Sequence, residues 1–299
     1  MAKKHQPPMS VDQQIENLKS IGLIIEDEVE AKNFLNNVSY FRLIKAFGLG
    51  LKEANSDFKE GVTFNQIKGL YLFNAKLRHL IFAELEKVEI NLRCRLANYF
   101  SCKYGVLGYE EGANFKNPEY HNKFLEEINL ELYRNRKAAF VKNFQINYEG
   151  GELPFYALIE LFSFGTLSKF FKNMKNEDKK AIGKMYGVNY IYLESWFEHL
   201  AFVRNICAHY GRLYNMNMTI TPNLYRQYTD KGISSLRLYA TLVCLKHLLP
   251  NDKHWNEFIV EISLLVDKFP CVDTSLIGFP KKNWEIYLSV PMKYLDKYE

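Results

Sequence analysis

The sequence predicts an all-α protein, a helical bundle with helical extensions at both ends. Apolar residues recur every three or four positions along most of the chain, which is the period of an amphipathic helix. There is no strand-helix-strand rhythm and no internal repeat, and β-prone runs such as 218–221 are too short for a substantial sheet. With 299 residues, of which 47% are hydrophobic and 24% charged, the chain has the composition of an ordered globular protein.

Residues 1–60 are expected to form an N-terminal helical hairpin. Ser10 is positioned to cap a first helix that ends at Gly22, and Asp27 is positioned to cap a second. The apolar residues of the second helix continue at helical spacing as far as Ile44, so this helix is expected to extend that far.

Residues 61–217 are expected to form the helical core, which opens with the longest periodic stretch of the chain. Thr63 and Gln66 have the spacing of a capping box, and the pattern ends at Gly105. A helix of about forty residues spans roughly 60 Å at about 1.5 Å per residue. Its apolar positions are Ile67, Leu70, Phe73, Leu77, Ile81, Leu85, Val88, Leu92, Leu96 and Tyr99.

Shorter helices are predicted in the remainder of the core. Gly165 and Thr166 are expected to interrupt the chain between two of them. The polar run 175–180 is interpreted as a solvated connector or the start of a helix. The predicted helices span 119–143, 155–162, 167–174 and 190–210.

Residues 218–299 are predicted to be a C-terminal helical extension. After a polar linker that contains Pro222, two helices are expected over 234–249 and 252–269, each followed by a proline. The tail from Cys271 onward is expected to be irregular.

Composition excludes several classes of protein. The five cysteines are odd in number, widely spaced and without a C-x-x-C pair, so neither a disulfide framework nor a zinc site is indicated. No apolar run reaches the roughly 18 residues of a membrane span, and the first residues lack the apolar core of a secretory signal. The formal charge of +5 favours a polyanion only mildly. We expect a cytoplasmic protein with no membrane association and no cofactor.

The candidate catalytic residues lie in the segment 204–209, which reads RNICAH. A permanently charged guanidinium, Arg204, stands five residues before His209, whose imidazole titrates near neutrality. RNA cleavage needs both groups: the imidazole moves protons at the 2′-hydroxyl or the leaving 5′-oxygen, and the guanidinium stabilises the phosphorane without a metal. Chance predicts roughly 0.7 such pairs in a chain of this composition, so the spacing alone also fits a helix-end histidine and a surface arginine.

Helical geometry strengthens the catalytic interpretation. The apolar stripe of the 190–210 helix is predicted to be buried, and its members are Leu193, Trp196, Phe197, Leu200, Val203 and Cys207. Cys207 is therefore interpreted as a small buried residue rather than a nucleophile. Small Ala208 leaves room for a phosphate among the polar residues that flank the stripe. These flanking residues are Arg204, Asn205, His209 and Arg212.

Two acidic residues, Glu194 and Glu198, project to the same side of this helix. They are expected to orient the ring of His209 or to pair with Arg204 and Arg212. No third hard ligand accompanies them, so no metal site is predicted. The other helix-borne histidines also lack the spacing of metal ligands and are interpreted as surface or capped residues: His79, His199, His247 and His254.

The RNICAH segment is similar to the motif of HEPN-domain RNases, in which histidine follows arginine after four to six residues and asparagine often follows the arginine. Several flanking segments resemble the Abi-like (abortive infection) family that contains AbiD and AbiF, in the same order and over most of the chain. They are 38–43 (VSYFRL), 70–78 (LYLFNAKLR), 86–93 (EKVEINLR), 153–168 (LPFYALIELFSFGTLS) and 278–284 (GFPKKNW).

This resemblance implies a four-helix HEPN core and metal-independent RNA cleavage that leaves a 2′,3′-cyclic phosphate. It also implies an active site built from two motifs, and because this chain carries one, a homodimer would pair Arg204 and His209 of two subunits. In the resembling proteins the long helix packs beside the motif helix, where its side chains would hold Arg204 or Asn205. The supporting residues implied there are Glu86, Glu89 and Arg93.

The function expected from this resemblance is that of a toxin RNase of antiviral defence, silent until infection. RNA is the expected substrate, and either a regulatory RNA or an antitoxin is a candidate partner. One alternative is a non-catalytic RNA-binding or scaffold protein of a defence system, against which the intact Arg204 and His209 argue. Another is a DNA-binding regulator that uses the N-terminal hairpin, but this hairpin has few basic side chains.

Overall fold

The computed structural model describes residues 7–249, 252–280 and 284–288. Over these residues the secondary structure is helical, with three isolated β-bridges and no strand, which confirms the all-α prediction. None of the helices in these ranges combines the length and apolar character that a membrane crossing requires. The helices are α1 (Val11–Ser20), α2 (Glu28–Asn37), α3 (Phe64–Tyr104), α4 (Pro118–Arg134), α5 (Ala139–Asn147), α6 (Phe155–Leu158), α7 (Phe164–Asn173), α8 (Asn176–Tyr186), α9 (Tyr190–Ala208), α10 (Arg226–Thr229), α11 (Tyr239–Leu248), α12 (Asp252–Lys268) and α13 (Trp284–Leu288).

The chain forms two compact units. The first consists of residues 1–78 and 261–273, and the second of residues 79–260 and 274–299. The three-part division expected from the sequence stays a prediction. All of the predicted site residues belong to the second unit.

Helices α1 and α2 of the first unit begin where the sequence predicts. Ser10 Oγ accepts a hydrogen bond from the Gln13 amide at 3.2 Å, and Gln13 Oε1 accepts one from the Ser10 amide at 2.9 Å, which completes a capping box. Asp27 Oδ1 caps α2 by accepting a hydrogen bond from the Glu30 amide at 2.9 Å. The two helices contact each other, and their buried residues are Ile15, Leu18, Ala31 and Leu35.

Helix α2 ends earlier than predicted, at Asn37. The hydroxyl of Ser39 accepts a hydrogen bond from the Arg42 amide at 3.3 Å, and a separate π-helical turn, Phe41–Lys45, follows. Phe41, which the periodicity places on the buried face, is 78% exposed. The extension to Ile44 is therefore wrong, because a local serine bond starts a new turn in place of continuing the old helix.

Helix α3 confirms the long periodic stretch. The Gln66 amide donates to Thr63 Oγ1 at 3.1 Å, and the helix ends at Tyr104, before Gly105 with a φ of +82°. The predicted apolar positions from Ile67 to Leu96 are all buried. A single apolar pattern therefore extends along a helix of 41 residues.

Helix α9 lies at the centre of the second unit. Helices α7, α8 and α11 contact it, and Phe171 and Phe197 meet edge to face at 5.2 Å between ring centroids. The predicted apolar stripe is confirmed, because each of its residues is buried: Leu193, Trp196, Phe197, Leu200, Val203 and Cys207. The apolar face fixes which side of α9 the polar residues of the motif occupy.

The boundaries of α4 and α7 in the second unit differ from the prediction. The charged helix expected over 119–143 is divided: α4 ends at Arg134, where Asn135 Nδ2 donates a competing side-chain hydrogen bond to the Glu131 carbonyl at 2.9 Å, and α5 starts at Ala139. Gly165 lies inside the first turn of α7 instead of breaking the chain, because Ser163 Oγ accepts a hydrogen bond from the Thr166 amide at 3.1 Å.

The polar run 175–180 contains the start of helix α8, which was one of its two interpretations. The run is not solvated throughout. Asp178 is 0% exposed. Its carboxylate accepts hydrogen bonds from the hydroxyls of Tyr99 at 2.8 Å and Tyr104 at 2.7 Å, and it pairs with Lys103. A buried carboxylate needs such partners, and all three come from α3.

The C-terminal helices also require corrections. Helix α11 starts at Tyr239 instead of 234, because the Ser234 hydroxyl accepts a hydrogen bond from the Leu236 amide at 3.2 Å in a preceding turn. Helix α12 has the predicted extent. The tail is not irregular throughout, since α13 forms within it. Asn283 of the GFPKKNW segment and the tail residues 289–299 lie outside the described residues.

Candidate active site at the end of helix α9

The predicted catalytic residues lie at the C-terminal end of α9. Arg204 and Asn205 are in the last turns of the helix, and His209 is its C-cap residue. Asn205 and His209 are exposed, whereas the side chain of Arg204 is 32% exposed. Within the described part of the chain, the imidazole of His209 has no hydrogen-bond partner. It is therefore open to a ligand from solvent.

The end of α9 is closed by a Schellman motif. The Gly211 amide donates to the Ile206 carbonyl at 2.7 Å, and the Tyr210 amide donates to the Cys207 carbonyl at 3.2 Å. A Cβ atom on Gly211 would lie 2.7 Å from the Ile206 Cγ2 atom, so this position requires glycine. These local bonds fix the backbone of His209 and occupy helix-end carbonyls that would otherwise repel an anion.

Arg204 is held by an ion pair from α3. Glu89, which is 8% exposed, accepts a hydrogen bond on Oε2 from Arg204 Nε at 3.2 Å. Its other oxygen, Oε1, accepts from Arg93 Nη2 at 3.2 Å, and that nitrogen also donates to the Phe162 carbonyl at 2.7 Å. Glu89 thus bridges two guanidinium groups. This is the contact between the long helix and Arg204 that the family resemblance implies.

The bridge leaves part of the Arg204 guanidinium available. Only Nε bonds to Glu89, and among the described residues Nη1 and Nη2 of Arg204 donate no hydrogen bond. The guanidinium carbon lies 5.9 Å from the centroid of the Phe82 ring, which supports it from one side. An anion can therefore bind Arg204 without breaking the bridge to Glu89.

A concavity of about 300 Å³ adjoins this ion-pair cluster. Ile90, which lies beside it on α3, is 54% exposed, and Glu86 is also exposed. The concavity therefore combines two arginines, two glutamates and an apolar surface. Its lining residues are Phe82, Glu86, Glu89, Ile90, Arg93 and Arg204.

The expected roles of Glu194 and Glu198 are wrong. Glu194 pairs with the buried Lys179, and Glu198 pairs with Lys172 at 3.0 Å, so neither acid orients His209 or holds an arginine of the motif. The partner lysines belong to α7 and α8, and the residue spacing within α9 cannot predict partners from other helices. Arg212 is half-buried, and burial lowers its pKa while leaving it protonated near neutral pH.

The histidines outside the motif have different environments. His199 is 0% exposed and therefore not a surface residue. Its Nδ1 donates to the Ile220 carbonyl at 2.7 Å, Nε2 bonds to Thr241 Oγ1 at 2.9 Å, and burial lowers its pKa to about 4. His247 bonds to the Tyr228 hydroxyl at 3.0 Å, and burial likewise lowers its pKa to about 4. Both histidines are neutral at pH 7, so they contribute to packing and not to acid-base chemistry at the motif.

The described residues contain no group of three or more histidine, cysteine or acidic side chains arranged to hold a metal ion. The chemical groups that the candidate site presents are the guanidinium of Arg204, the amide of Asn205 and the imidazole of His209. Together they offer positive charge, hydrogen-bond donors and an imidazole that can accept or donate a proton.

The sequence matches a family model, described as Abi-like protein, over residues 33–215. Comparison with the curated proteins gave no match, and comparison with the solved structures gave none. The matched residues include helices α3 to α9. They make up more than half of the 299 residues of the chain. The chain therefore belongs to the Abi-like protein family, which suggests a role in abortive infection.

Proposed function

We propose that the protein is a metal-independent RNA endonuclease of the HEPN type, acting as the toxin of an abortive-infection defence. The observation that carries this proposal is the Glu89–Arg204 bond at 3.2 Å, which positions a guanidinium near the end of the helix that carries the exposed His209.

The proposed reaction is an internal transesterification. His209 takes the proton of a ribose 2′-hydroxyl, and the 2′-oxygen forms a bond to the phosphorus as the bond to the 5′-oxygen breaks. A second imidazole donates a proton to the leaving 5′-oxygen. Arg204 stabilises the added negative charge of the phosphorane. The products are a 2′,3′-cyclic phosphate and a 5′-hydroxyl, so no water is consumed in this step.

The reaction is proposed to take place between two copies of the chain. On α9, Arg204 and His209 are about 140° apart around the helix axis and about 7.5 Å apart along it, and the motif of one chain provides a single imidazole. A symmetric pair would supply two imidazoles and two guanidinium groups. The 54% exposed side chain of Ile90, beside the Arg204 concavity, provides apolar surface for such a contact.

The test uses purified protein and defined RNAs in the presence of EDTA. The wild-type protein should cut and leave cyclic phosphate ends, and His209→Ala should abolish cutting while RNA affinity and thermal stability stay close to wild type. Arg204→Ala should lose both cutting and affinity, because it removes a phosphate contact. His79→Ala, a change at an exposed histidine of α3, is the matched control and should cut normally.

Three results would count against parts of the proposal. Cutting that disappears on chelation and returns with a divalent ion would indicate a metal-dependent nuclease. RNA binding without cutting, equal in wild type and His209→Ala, would favour the non-catalytic RNA-binding or scaffold protein. An active protein that is monomeric under the assay conditions would refute the paired site.

A further inference from the structure

A cavity of about 270 Å³ lies between α4 and α7, and none of its lining residues belongs to the candidate active site. Its apolar wall consists of three buried phenylalanines, Phe115, Phe124 and Phe170. The ring centroid of Phe170 lies 5.5 Å from that of Phe115 and 5.3 Å from that of Phe124, so the three rings hold one another in place. Tyr120, which is 55% exposed, adds a fourth ring at the surface. The cavity is therefore formed in advance for a flat apolar group.

Lysine side chains give the cavity an excess of positive charge. Each of the three pairs with one glutamate, but more than half of each lysine side chain is exposed, and ion pairs at the surface are weak. An anionic ligand can therefore replace these glutamates. Of the three glutamates only Glu127 lines the cavity. The lysines that line it are Lys123, Lys169 and Lys172.

Asn173 adds a polar group to the cavity that is held in one orientation. The residue is 6% exposed. Its Oδ1 accepts a hydrogen bond from the Asn117 amide at 3.0 Å, and its Nδ2 donates to the Asn117 carbonyl at 3.1 Å. A side-chain amide nitrogen carries two hydrogens, and among the described residues only one of them is used. The second can therefore bond to an acceptor atom of a ligand in the cavity.

We infer that this cavity binds a nucleotide, whose base packs against the phenylalanine wall and whose phosphate lies among the lysines. Aromatic side chains hold bases of any kind, because every base has a flat π-face. A phosphomonoester carries about −1.5 to −2 charges on three oxygens, so it can accept hydrogen bonds from more than one lysine at once. The volume of about 270 Å³ is near the small end of the range for ligand sites, about 300–1,000 Å³, which limits the ligand to about one nucleotide.

The charges around the cavity favour a free mononucleotide over the end of an RNA strand. The glutamates that pair with Lys123 and Lys172 are Glu119 and Glu198, which lie outside the lining of the cavity. Further phosphates of a strand would meet these carboxylates, and like charges repel. A single phosphate within the cavity avoids them. The site is separate from the RNICAH motif, so this inference does not rest on the proposed RNase function.

The first test titrates the full chain with each of the four ribonucleoside 5′-monophosphates in a calorimeter. At least one of them should bind with a stoichiometry of about one per chain. Its nucleoside lacks the phosphate and inorganic phosphate lacks the ring, so each of these should bind at least about tenfold more weakly. Binding by none of the four nucleotides, or equal binding of nucleoside and nucleotide, would overturn the inference.

Variants with effects of opposite sign place the nucleotide in this cavity. Lys172→Gln and Tyr120→Ala each remove an exposed lining group and should weaken binding by about fivefold. Glu127→Gln removes the acid that lines the cavity and should strengthen binding by about twofold to fivefold, an effect that damage to the fold cannot produce. Lys184→Gln, a change at an exposed lysine of α8 outside the lining, is the matched control and should bind as wild type.

Three other outcomes would refute the inference. If nucleotides bind but Lys172→Gln and Glu127→Gln leave the affinity unchanged, the nucleotide site lies elsewhere. If a short RNA with a 5′-phosphate binds at least about tenfold more tightly than the mononucleotide, and Lys172→Gln weakens this binding, the cavity holds the end of a strand. If no nucleotide binds and Tyr120→Ala reduces self-association in sedimentation, the cavity belongs to a contact between copies of the chain. RNA cleavage is not measured in any of these experiments, so their failure leaves the proposed function untouched.

Discussion

Glu89→Gln is the substitution that most directly tests how the candidate site is built. Glu89 is 8% exposed and accepts one hydrogen bond each from Arg93 and Arg204, both at 3.2 Å. Glutamine has nearly the same shape but no charge, and its amide has a single acceptor oxygen. The variant therefore keeps the packing and loses the charge that the two guanidinium groups share.

The expected loss of stability is about 2 kcal/mol. Hydrogen bonds to charged groups contribute about 1.5 to 3 kcal/mol when buried, and Arg93, with a side chain 15% exposed, accounts for most of the loss. The share of Arg204, 32% exposed, is reduced by solvent to about 0.5 to 1 kcal/mol. Arg93 keeps its bond to the Phe162 carbonyl, which limits the total. A loss of about 2 kcal/mol lowers the melting temperature by roughly 4 to 8 °C.

Glu160→Gln is the matched control. Glu160 also faces Arg93, at 3.9 Å, but its side chain is 60% exposed, so its removal should cost less than about 0.5 kcal/mol. Thermal melting of both variants gives the stability, and RNA cleavage well below the melting point gives the activity. In the proposed function, Glu89→Gln should slow cleavage because Arg204 is no longer held, and Glu160→Gln should not. Equal melting temperatures for the two variants would refute the bridge.

Two further predictions concern buried titratable groups of the second unit. Burial lowers the pKa of His199 to about 4, against about 6.5 in an unfolded chain, so the unfolded state takes up a proton first as the pH falls. The contribution of His199 to stability should therefore be full above about pH 6.5 and fall by about 1.4 kcal/mol per pH unit toward pH 4. His247, whose pKa is likewise lowered to about 4, adds a similar pH dependence, so thermal melting against pH should show about half the wild-type dependence in His199→Gln, and an equally steep dependence would contradict the assignment. Asp178→Asn should cost about 1 to 3 kcal/mol in chemical denaturation, because Asp178 is 0% exposed beside Lys103. Glu177→Gln, which removes a 69% exposed partner of the same lysine, should cost almost nothing, and equal losses would show that burial is not the cause.

Much of the helical fold could be predicted because helices are encoded locally. The capping residues Ser10 and Asp27 and the apolar period of α3 each lie within a few residues of the structure that they specify. The wrong helix boundaries arise from side-chain hydrogen bonds that are also local but leave a weaker pattern in the sequence. Ser39 and Ser163 each start a helical turn through a side-chain hydrogen bond, and the apolar period does not register such a bond.

The candidate site was only partly predictable. The position of the motif relative to the buried stripe follows from rotation about one helix, so the exposure of Asn205 and His209 could be predicted. The partners of the acids could not, because Lys172 and Lys179 come from other helices. His199 lies about 40° outside the predicted stripe, and only the carbonyl and hydroxyl that satisfy its ring explain its burial. The pattern within one helix predicts which apolar side chains are buried, but not which polar side chains find partners on other helices.

The two groups of the candidate site are positioned by different means. Arg204 depends on a tertiary contact, since Glu89 belongs to a helix more than one hundred residues earlier in the sequence. His209 depends on the local Schellman motif, whose bonds all lie within six residues. A long-range contact can be lost when helices shift, whereas a helix cap moves with its own helix. In the proposed nuclease, a partner that displaced α3 from α9 would release Arg204 and leave His209 in place. Loss of the Glu89 bridge would therefore free Arg204 without unfolding the helix that carries the motif.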